Sequence, residues 1–209
     1  MRRPTILLVD DHALVLDALK NLLEPEFEVV GAVSDSREAV PVARELKPDV
    51  IVLDLGMPEI DGLHAGPELK KALPRTKLIV LTMNDDSDVA SESLRLWASG
   101  YLLKASAASE LVKAVREALR GRTYVTPMTE RQLQEKFIRS PEIGETKTLT
   151  VRQREVLKLL AEGRTMRETA DILHVTPRTI AFHKYRIMEE FGLKTSSDLV
   201  KLALREKVY

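Results

Sequence analysis

Residues 4–11 of the chain read PTILLVDD, a short apolar run that ends on two aspartates. Three later runs share this pattern, VIVLD at 50–54, KLIVLT at 77–82 and GYLLK at 100–104. Continuous runs rich in Ile, Val and Leu are typical of strands that a parallel sheet buries on both faces. Each run therefore predicts a buried strand that ends on a polar residue.

Amphipathic segments separate these runs as far as about residue 120, and EFEVVGAV at 26–33 supplies one more strand. Five alternations of strand and helix predict an α/β domain, a doubly wound parallel sheet of flavodoxin-like (βα)5 order with right-handed crossovers. Gly121 stops the last helix, so we place this first domain over residues 1–121. The mixed polar segment 122–147 is then expected to be a linker with one short helix.

The polar residues at the strand ends fall on one edge of the predicted sheet. All strands of an open parallel sheet point one way, and ligands bind at their carboxyl ends. Asp10, Asp11, Asp54, Thr82 and Lys104 would therefore meet there. Carboxylates so close together repel one another, which favours a divalent cation such as Mg²⁺. Beside that cation a carboxylate can attack phosphorus, while the lysine holds charge on the transferred oxygens.

Each of these residues also has a plainer interpretation. Asp10 and Asp11 precede a helix and could be N-cap acids. Asp54 could be an acid in a turn, and Lys104 a solvated charge at a strand end. Only their joint placement at the strand ends favours the phosphate site over these separate structural roles.

The last part of the chain, residues 148–209, predicts helices only. It carries a formal net charge of +4, whereas residues 1–120 carry −5, which hints at a polyanionic partner. Thr150, Thr165 and Thr176 each fit the N-cap of a helix. Four helices in about 60 residues, with a tight turn between the second and third, predict a helix-turn-helix domain.

The helix that follows Thr176 presents a candidate DNA-binding face. Ile180, Ile187 and Phe191 recur at helical spacing and should face the core. The remaining face mixes cations with two aromatic rings, which suits phosphate and base contacts in a major groove. A dimer contact or a protein-binding surface could have the same composition. The predicted DNA-contacting residues are Arg178, Thr179, Ala181, Phe182, Lys184, Tyr185 and Arg186.

The composition excludes some classes of protein. The chain has no cysteine, so it has neither disulfides nor thiolate metal sites. The apolar run behind the amino-terminal arginines stops at Asp10, which is too early for an export signal. No run approaches the roughly 18 apolar residues of a membrane helix. We therefore expect a cytoplasmic protein without a membrane partner.

The motifs ILLVDDH, IVLDLGMPEIDG, VLTMNDD and GYLLKAS resemble the receiver domain of two-component response regulators. The resemblance implies that Asp54 accepts a phosphoryl group from a sensor histidine kinase. It also implies that Asp11, Asp54 and the backbone carbonyl of Gly56 hold Mg²⁺, with Asp10 assisting through water.

By the same resemblance, Lys104 pairs with the phosphoryl group and Thr82 and Tyr101 form a switch pair. The threonine hydroxyl would move towards the phosphate, and the tyrosine ring would turn inward behind it. Two positions depart from the receiver pattern. Ala105 follows the lysine where receivers commonly have proline, and Trp97 stands where the pattern usually has glycine. Helix packing is the expected role of Trp97, with a part in the switch as the alternative.

Residues 149–204 resemble the LuxR-type DNA-binding domain over its full length, and the whole chain resembles a NarL/FixJ-type response regulator. This implies that the helix at 176–191 recognises double-stranded DNA. Ala181 and Tyr185 stand where the family often has lysines, so the operator should differ. The final helix would form the seam of a homodimer, through Leu199, Leu202 and Ala203.

These features together predict a transcription factor that phosphorylation of Asp54 controls. Its only expected chemistry is its own phosphorylation and dephosphorylation. One alternative is a constitutive DNA-binding factor that uses the receiver only to dimerise. Another is a magnesium-dependent phosphatase with an aspartate nucleophile. Such enzymes usually carry Asp-x-Asp after the first strand, whereas Asp10 and Asp11 are adjacent here.

Overall fold

The apolar runs form a parallel sheet in a computed structural model, which describes residues 2–57, 62–83, 86–127, 129–131 and 149–208. The strands are β1 (Thr5–Val9), β2 (Glu28–Val33), β3 (Val50–Asp54), β4 (Lys77–Thr82), β5 (Gly100–Leu103) and β6 (Tyr124–Val125). The strand order is β2-β1-β3-β4-β5-β6, which extends the predicted flavodoxin-like order by one strand.

Strand β6 is a correction to the predicted five-stranded sheet, and it lies inside the segment that we predicted as linker. Gly121 has a φ of +79°, a conformation that glycine adopts at little cost and that lets the chain turn after the last helix. Tyr124 then pairs with Gly100, and Val125 with Tyr101. The short helix predicted within 122–147 falls largely outside the described residues.

Helices cover both faces of the sheet. They are α1 (Ala13–Leu23), α2 (Ser36–Leu46), α3 (Gly62–Ala72), α4 (Ser87–Leu96) and α5 (Ala107–Leu119). Because strand residues two apart share a face, alternate residues such as Ile6 and Leu8 pack against α1 and α5. Helices α2, α3 and α4 cover the opposite face, where α3 contacts both of the others. Because all strand pairs are parallel, the carboxyl ends of the buried strands lie at one edge of the sheet.

The second compact unit, Ser140–Tyr209, contains four helices among its described residues. They are α6 (Val151–Ala161), α7 (Met166–Leu173), α8 (Pro177–Phe191) and α9 (Ser196–Arg205). Thr150, Thr165 and Thr176 cap the first three helices as predicted, because each hydroxyl accepts a hydrogen bond from an amide of the first turn. Gly192 ends α8 in the left-handed conformation. Across the described part of the chain, no helix has the length and apolarity to cross a membrane.

Candidate functional site

Three charged side chains meet at the carboxyl edge of the sheet. Asp10 follows β1, Asp54 ends β3, and both side chains are 2% exposed. Lys104 follows β5, and its Nζ lies 2.6 Å from Asp10 Oδ2 and 2.9 Å from Asp54 Oδ2. The amide of Gly56 donates to Asp54 Oδ1 at 2.6 Å. One ammonium group is thus shared between two buried carboxylates.

Burial raises the pKa of the Asp54 carboxyl, although Lys104 and the amide of Gly56 act in the opposite direction. Burial by itself lowers the pKa of Lys104, but hydrogen bonds to Asp10 and Asp54 and their charges raise it above its usual value. The pocket buries two carboxylates beside one ammonium, and this arrangement favours a further positive charge next to them.

The donor set at this edge fits a hard divalent cation. Asp10, Asp11, His12 and Asp54 each offer one ligand atom, and these atoms lie within 4.8 Å of one another. The carboxylate of Asp11 is 22% exposed, so water can complete the coordination shell from that side. Carboxylate oxygens together with water are the ligands that Mg²⁺ prefers. The Asp cluster is the site that sequence reasoning predicted.

His12 is a member of this cluster that the sequence analysis missed. Its Nδ1 lies 2.8 Å from Asp11 Oδ1 and 3.3 Å from Asp10 Oδ1. The ring is 64% exposed, so it lies at the rim of the pocket. Its position directly after Asp11 was the available signal, but sequence adjacency does not say which way a side chain turns.

Thr82 and Tyr101 are both buried, on the neighbouring strands β4 and β5. Leu81 pairs with Asp54 across β3 and β4, so Thr82 lies one residue beyond the strand partner of Asp54. Tyr101 is on the next strand, β5, where it pairs with Val80, and its side chain is fully buried. The two residues thus lie on the strands that separate Asp54 from the edge strand β6.

Trp97 is buried at the end of α4 and packs against α3. A β-carbon placed on Gly66 would lie 2.6 Å from both Cη2 and Cζ2 of its ring. Such a distance is far inside van der Waals contact, so the ring occupies the space that any larger residue at position 66 would need. Trp97 therefore has a packing role, as the sequence analysis expected.

The predicted DNA-binding face of α8 is only partly exposed. Tyr185 is 44% exposed, and Lys184 Nζ lies 5.7 Å from the centroid of its ring. Thr179 and Phe182 are buried instead, which corrects their predicted exposure. Thr179 Oγ1 lies 3.0 Å from the cap hydroxyl of Thr176, to which the Thr179 amide donates at 3.2 Å. The other predicted contacts, Arg178, Ala181, Lys184 and Arg186, are half-buried.

Phe182 is 8% exposed, and its ring meets the ring of His183 edge to face, with centroids 5.1 Å apart. Ile180 and Ile187 are fully buried, and Phe191 packs against the core, as predicted. Aromatic residues bury as readily as they contact bases, so helical spacing alone could not assign Phe182 to either environment.

The predicted dimer residues of α9 are wrong as surface contacts. Leu199, Leu202 and Ala203 are at most 3% exposed, because they form the core of their own unit with Leu157 and Ile187. The apolar side chains that α9 leaves exposed are Val200, at 37%, and Leu204, at 62%. These two residues are four apart and therefore share one face of the helix.

Both parts of the chain match known families. Residues 6–116 match the response regulator receiver domain, and residues 147–203 match the luxR family of bacterial regulatory proteins. The oxygen regulatory protein NreC of Staphylococcus epidermidis (strain ATCC 12228 / FDA PCI 1200) is 35% identical over 97% of this chain and 98% of its own length. The chain belongs to the NarL/FixJ-type response regulators.

Solved structures of RcsB are similar to this response regulator over both units. One of them is RcsB from Salmonella enterica serovar Typhimurium, bound to promoter P1flhDC in the presence of the phosphomimetic BeF3-. It matches with a TM-score of 0.65 and 30% sequence identity, and the match covers 96% of this chain and 97% of the RcsB chain. A structure of two RcsB dimers on two parallel DNAs has a TM-score of 0.63 and 28% identity, with 98% and 99% covered.

These matches assign the class of the response regulator. It combines a receiver with a LuxR-type DNA-binding domain, as a transcription regulator that depends on phosphorylation. The strand-end aspartates and Lys104 are therefore part of a receiver.

Proposed function

We propose that Asp54 accepts the phosphoryl group that controls this response regulator. The shared ammonium of Lys104 between Asp10 and Asp54 is the observation that carries the proposal. An oxygen of the Asp54 carboxylate attacks phosphorus of a phosphohistidine in a sensor kinase, and the phosphorus–nitrogen bond breaks. The imidazole leaves with the bonding electrons and takes up a proton. Water later attacks phosphorus, which returns the carboxylate and releases inorganic phosphate.

The chain's own residues divide the work in this step. Lys104 already contacts Asp54 Oδ2, so its ammonium is in place to pair with the transferred oxygens. Asp10, Asp11, Asp54 and the backbone carbonyl of Gly56 would hold Mg²⁺. When bound, the cation shields the negative charges that would otherwise repel the phosphoryl donor. Such chemistry modifies the regulator itself, and no other substrate is converted.

Thr82 and Tyr101 are proposed to carry the change away from Asp54. The hydroxyl of Thr82, one residue past the partner of Asp54, can hydrogen-bond the new phosphoryl group. That bond draws Thr82 towards the pocket, and the buried ring of Tyr101 keeps the space behind it filled. The position of Thr82 before and after this movement is proposed to distinguish the resting state from the phosphorylated state.

The output is proposed to be sequence-specific binding of double-stranded DNA, with α8 as the helix that contacts the bases. The regulator is proposed to bind as a homodimer in the cytoplasm. Arg178, Lys184 and Arg186 supply cations along the helix, and Tyr185 supplies an exposed ring. RcsB binds promoter DNA in the presence of a phosphomimetic, and two RcsB dimers bind two DNAs. For this chain we propose Val200 and Leu204, the exposed pair on α9, as the dimer contact.

One experiment tests the acceptor, the switch and the output together. The full chain is incubated with acetyl phosphate and Mg²⁺, and its size and its affinity for a DNA fragment selected from a random pool are measured. Phosphorylation should raise the dimer fraction and tighten DNA binding by about five- to 150-fold, the usual range of coupling between two sites. Leu204→Glu should block the dimer while the protein stays folded. Equal affinity with and without the phosphodonor would instead favour the constitutive DNA-binding factor.

Tyr185→Ala is expected to reduce sequence preference. A side chain that touches base edges contributes about 1–3 kcal/mol of discrimination, so affinity for the selected DNA should fall about tenfold. Affinity for random DNA should change little, because phosphate contacts supply most of that binding. Lys184→Ala is the comparison variant, since a lost phosphate contact should weaken both equally and reduce the salt dependence. Equal losses on both DNAs for Tyr185→Ala would contradict its role at the bases.

A further inference from the structure

A ring of hydrogen bonds surrounds the turn that carries Lys104. The amide of Leu103 donates to Thr126 Oγ1 at 3.2 Å, and Ser106 Oγ donates to the Leu103 carbonyl at 3.0 Å. The hydroxyl oxygens of Thr126 and Ser106 are 3.4 Å apart. Each hydroxyl has one hydrogen, and that of Ser106 is used on Leu103, so Thr126 donates to Ser106. The three hydrogen bonds therefore form a closed ring, in which Leu103 donates to Thr126, Thr126 to Ser106, and Ser106 to the carbonyl of Leu103.

Thr126 occupies a special place in the sheet. It follows β6 directly, its amide donates to the Tyr101 carbonyl at 3.1 Å, and it is 5% exposed. The backbone ladder between β5 and β6 ends at this point. The side-chain oxygen of Thr126 takes the place of the next backbone acceptor and accepts the hydrogen bond of the Leu103 amide.

Two further hydrogen bonds hold the turn besides this ring: the amide of Ala107 donates to the Lys104 carbonyl, and Ser109 Oγ donates to the Ser106 carbonyl at 3.0 Å. Lys104–Ser106 form a single 3-10 turn between β5 and α5, and its sequence, Lys-Ala-Ser, contains no proline to restrict the backbone. Yet Lys104 Nζ must reach two buried carboxylates at 2.6 and 2.9 Å. Displacement of a group near a reacting centre by about 1 Å can cost on the order of a hundredfold in rate.

We propose that Thr126 is a positioning residue for phosphoryl transfer, which holds the turn of Lys104 through Leu103 and Ser106. The inference rests on the proposed role of Asp54 and Lys104 and adds a residue outside the predicted receiver boundary. Thr126 touches neither the acceptor nor the lysine ammonium. Its hydroxyl acts by fixing the backbone on both sides of Lys104, so the loss of that hydroxyl should slow the transfer step.

Three variants of the full chain test this role. Thr126→Val keeps the shape and removes the hydroxyl, Thr126→Ser restores it, and Ser106→Ala removes the other hydroxyl of the ring. The exposed Thr123→Val is the matched control, because it makes the same chemical change outside the ring. Initial rates of phosphorylation by acetyl phosphate with Mg²⁺ are measured. The amide proton signal and hydrogen exchange of Leu103 are followed by NMR.

Thr126→Val and Ser106→Ala should each slow phosphorylation about tenfold. Thr126→Val should also speed hydrogen exchange at Leu103, and Thr126→Ser should restore both within about twofold. If Thr126→Val does not fold, Ser106→Ala decides the question. Wild-type rates in a folded variant whose Leu103 signal has changed would overturn the role of Thr126 alone. A wild-type chain that takes up no phosphate would overturn the proposed function as well.

Discussion

The Asp54→Asn variant is expected to take up no phosphoryl group from acetyl phosphate and Mg²⁺. An amide oxygen is a far weaker nucleophile than a carboxylate, and the variant also removes one of the proposed cation ligands. The side chain keeps its shape, and its Oδ1 can still accept from the amide of Gly56. Its Nδ2 then replaces the oxygen to which Lys104 donates, so Lys104 is left with Asp10 as its carboxylate partner. Mass spectrometry of the intact chain measures the result, and phosphodonor-dependent changes in size and DNA affinity should disappear with it.

The stability of Asp54→Asn should not fall at neutral pH. Burial holds the pKa of Asp54 above its usual value, so the folded chain keeps this proton more tightly than the unfolded chain. The resulting penalty on folding grows as the pH rises from the usual range of an aspartate through the raised pKa, and is complete above it. A neutral amide removes this penalty. Urea denaturation at neutral pH should give an equal or higher midpoint than wild type.

Asp17→Asn is the matched control, because Asp17 is an exposed aspartate on α1, outside the pocket. It should be phosphorylated at the wild-type rate. Phosphate uptake by Asp54→Asn at that same rate would contradict the assignment of the acceptor. Uptake by neither variant nor wild type would contradict the receiver function as a whole.

The central strands and their polar ends could be predicted from sequence because only one environment suits them. Runs such as VIVLD at 50–54 have no polar face, so they must be buried on both sides, and parallel order then brings Asp54 and Lys104 to one edge. Strand β6 could not be predicted in this way. Tyr124 and Val125 are too few to show a period, and the adjacent sheet edge makes them a strand.

The helices of the second unit show a different limit. Cap residues such as Thr165 and Gly192 marked where helices begin and end, since those positions require particular chemistry. The inward face was harder to assign. Leu199 and Leu202 on α9 are core residues, while Leu204 is exposed, yet all three are leucines on one amphipathic helix. Periodicity groups residues that share a face, and only the neighbouring helices decide which face is covered.

Gly66→Ala is expected to destabilise the receiver by about 1–3 kcal/mol, the usual cost of overpacking a well-filled core. The new methyl group would lie 2.6 Å from two carbons of the Trp97 ring, which is rigid and 5% exposed. At an unhindered helix position the same change would stabilise by about 1 kcal/mol, because alanine favours helix more than glycine does. A loss of stability in Gly66→Ala would therefore indicate the clash with Trp97, whereas a gain would indicate that helix propensity dominates. Because Trp97 is the chain's one tryptophan, its fluorescence during urea unfolding measures this unit.

The same substitution in a Trp97→Leu chain separates the effect of the clash from the effect of helix propensity. In a Trp97→Leu chain the ring is gone, so Gly66→Ala should become neutral or stabilising when unfolding is followed by circular dichroism. The coupling between the two positions should exceed about 1 kcal/mol, as expected for side chains in direct contact. Additive effects would contradict the packing of Trp97 on Gly66. They would also reopen the alternative that Trp97 takes part in the switch, since a ring that yields to a methyl group is free to move.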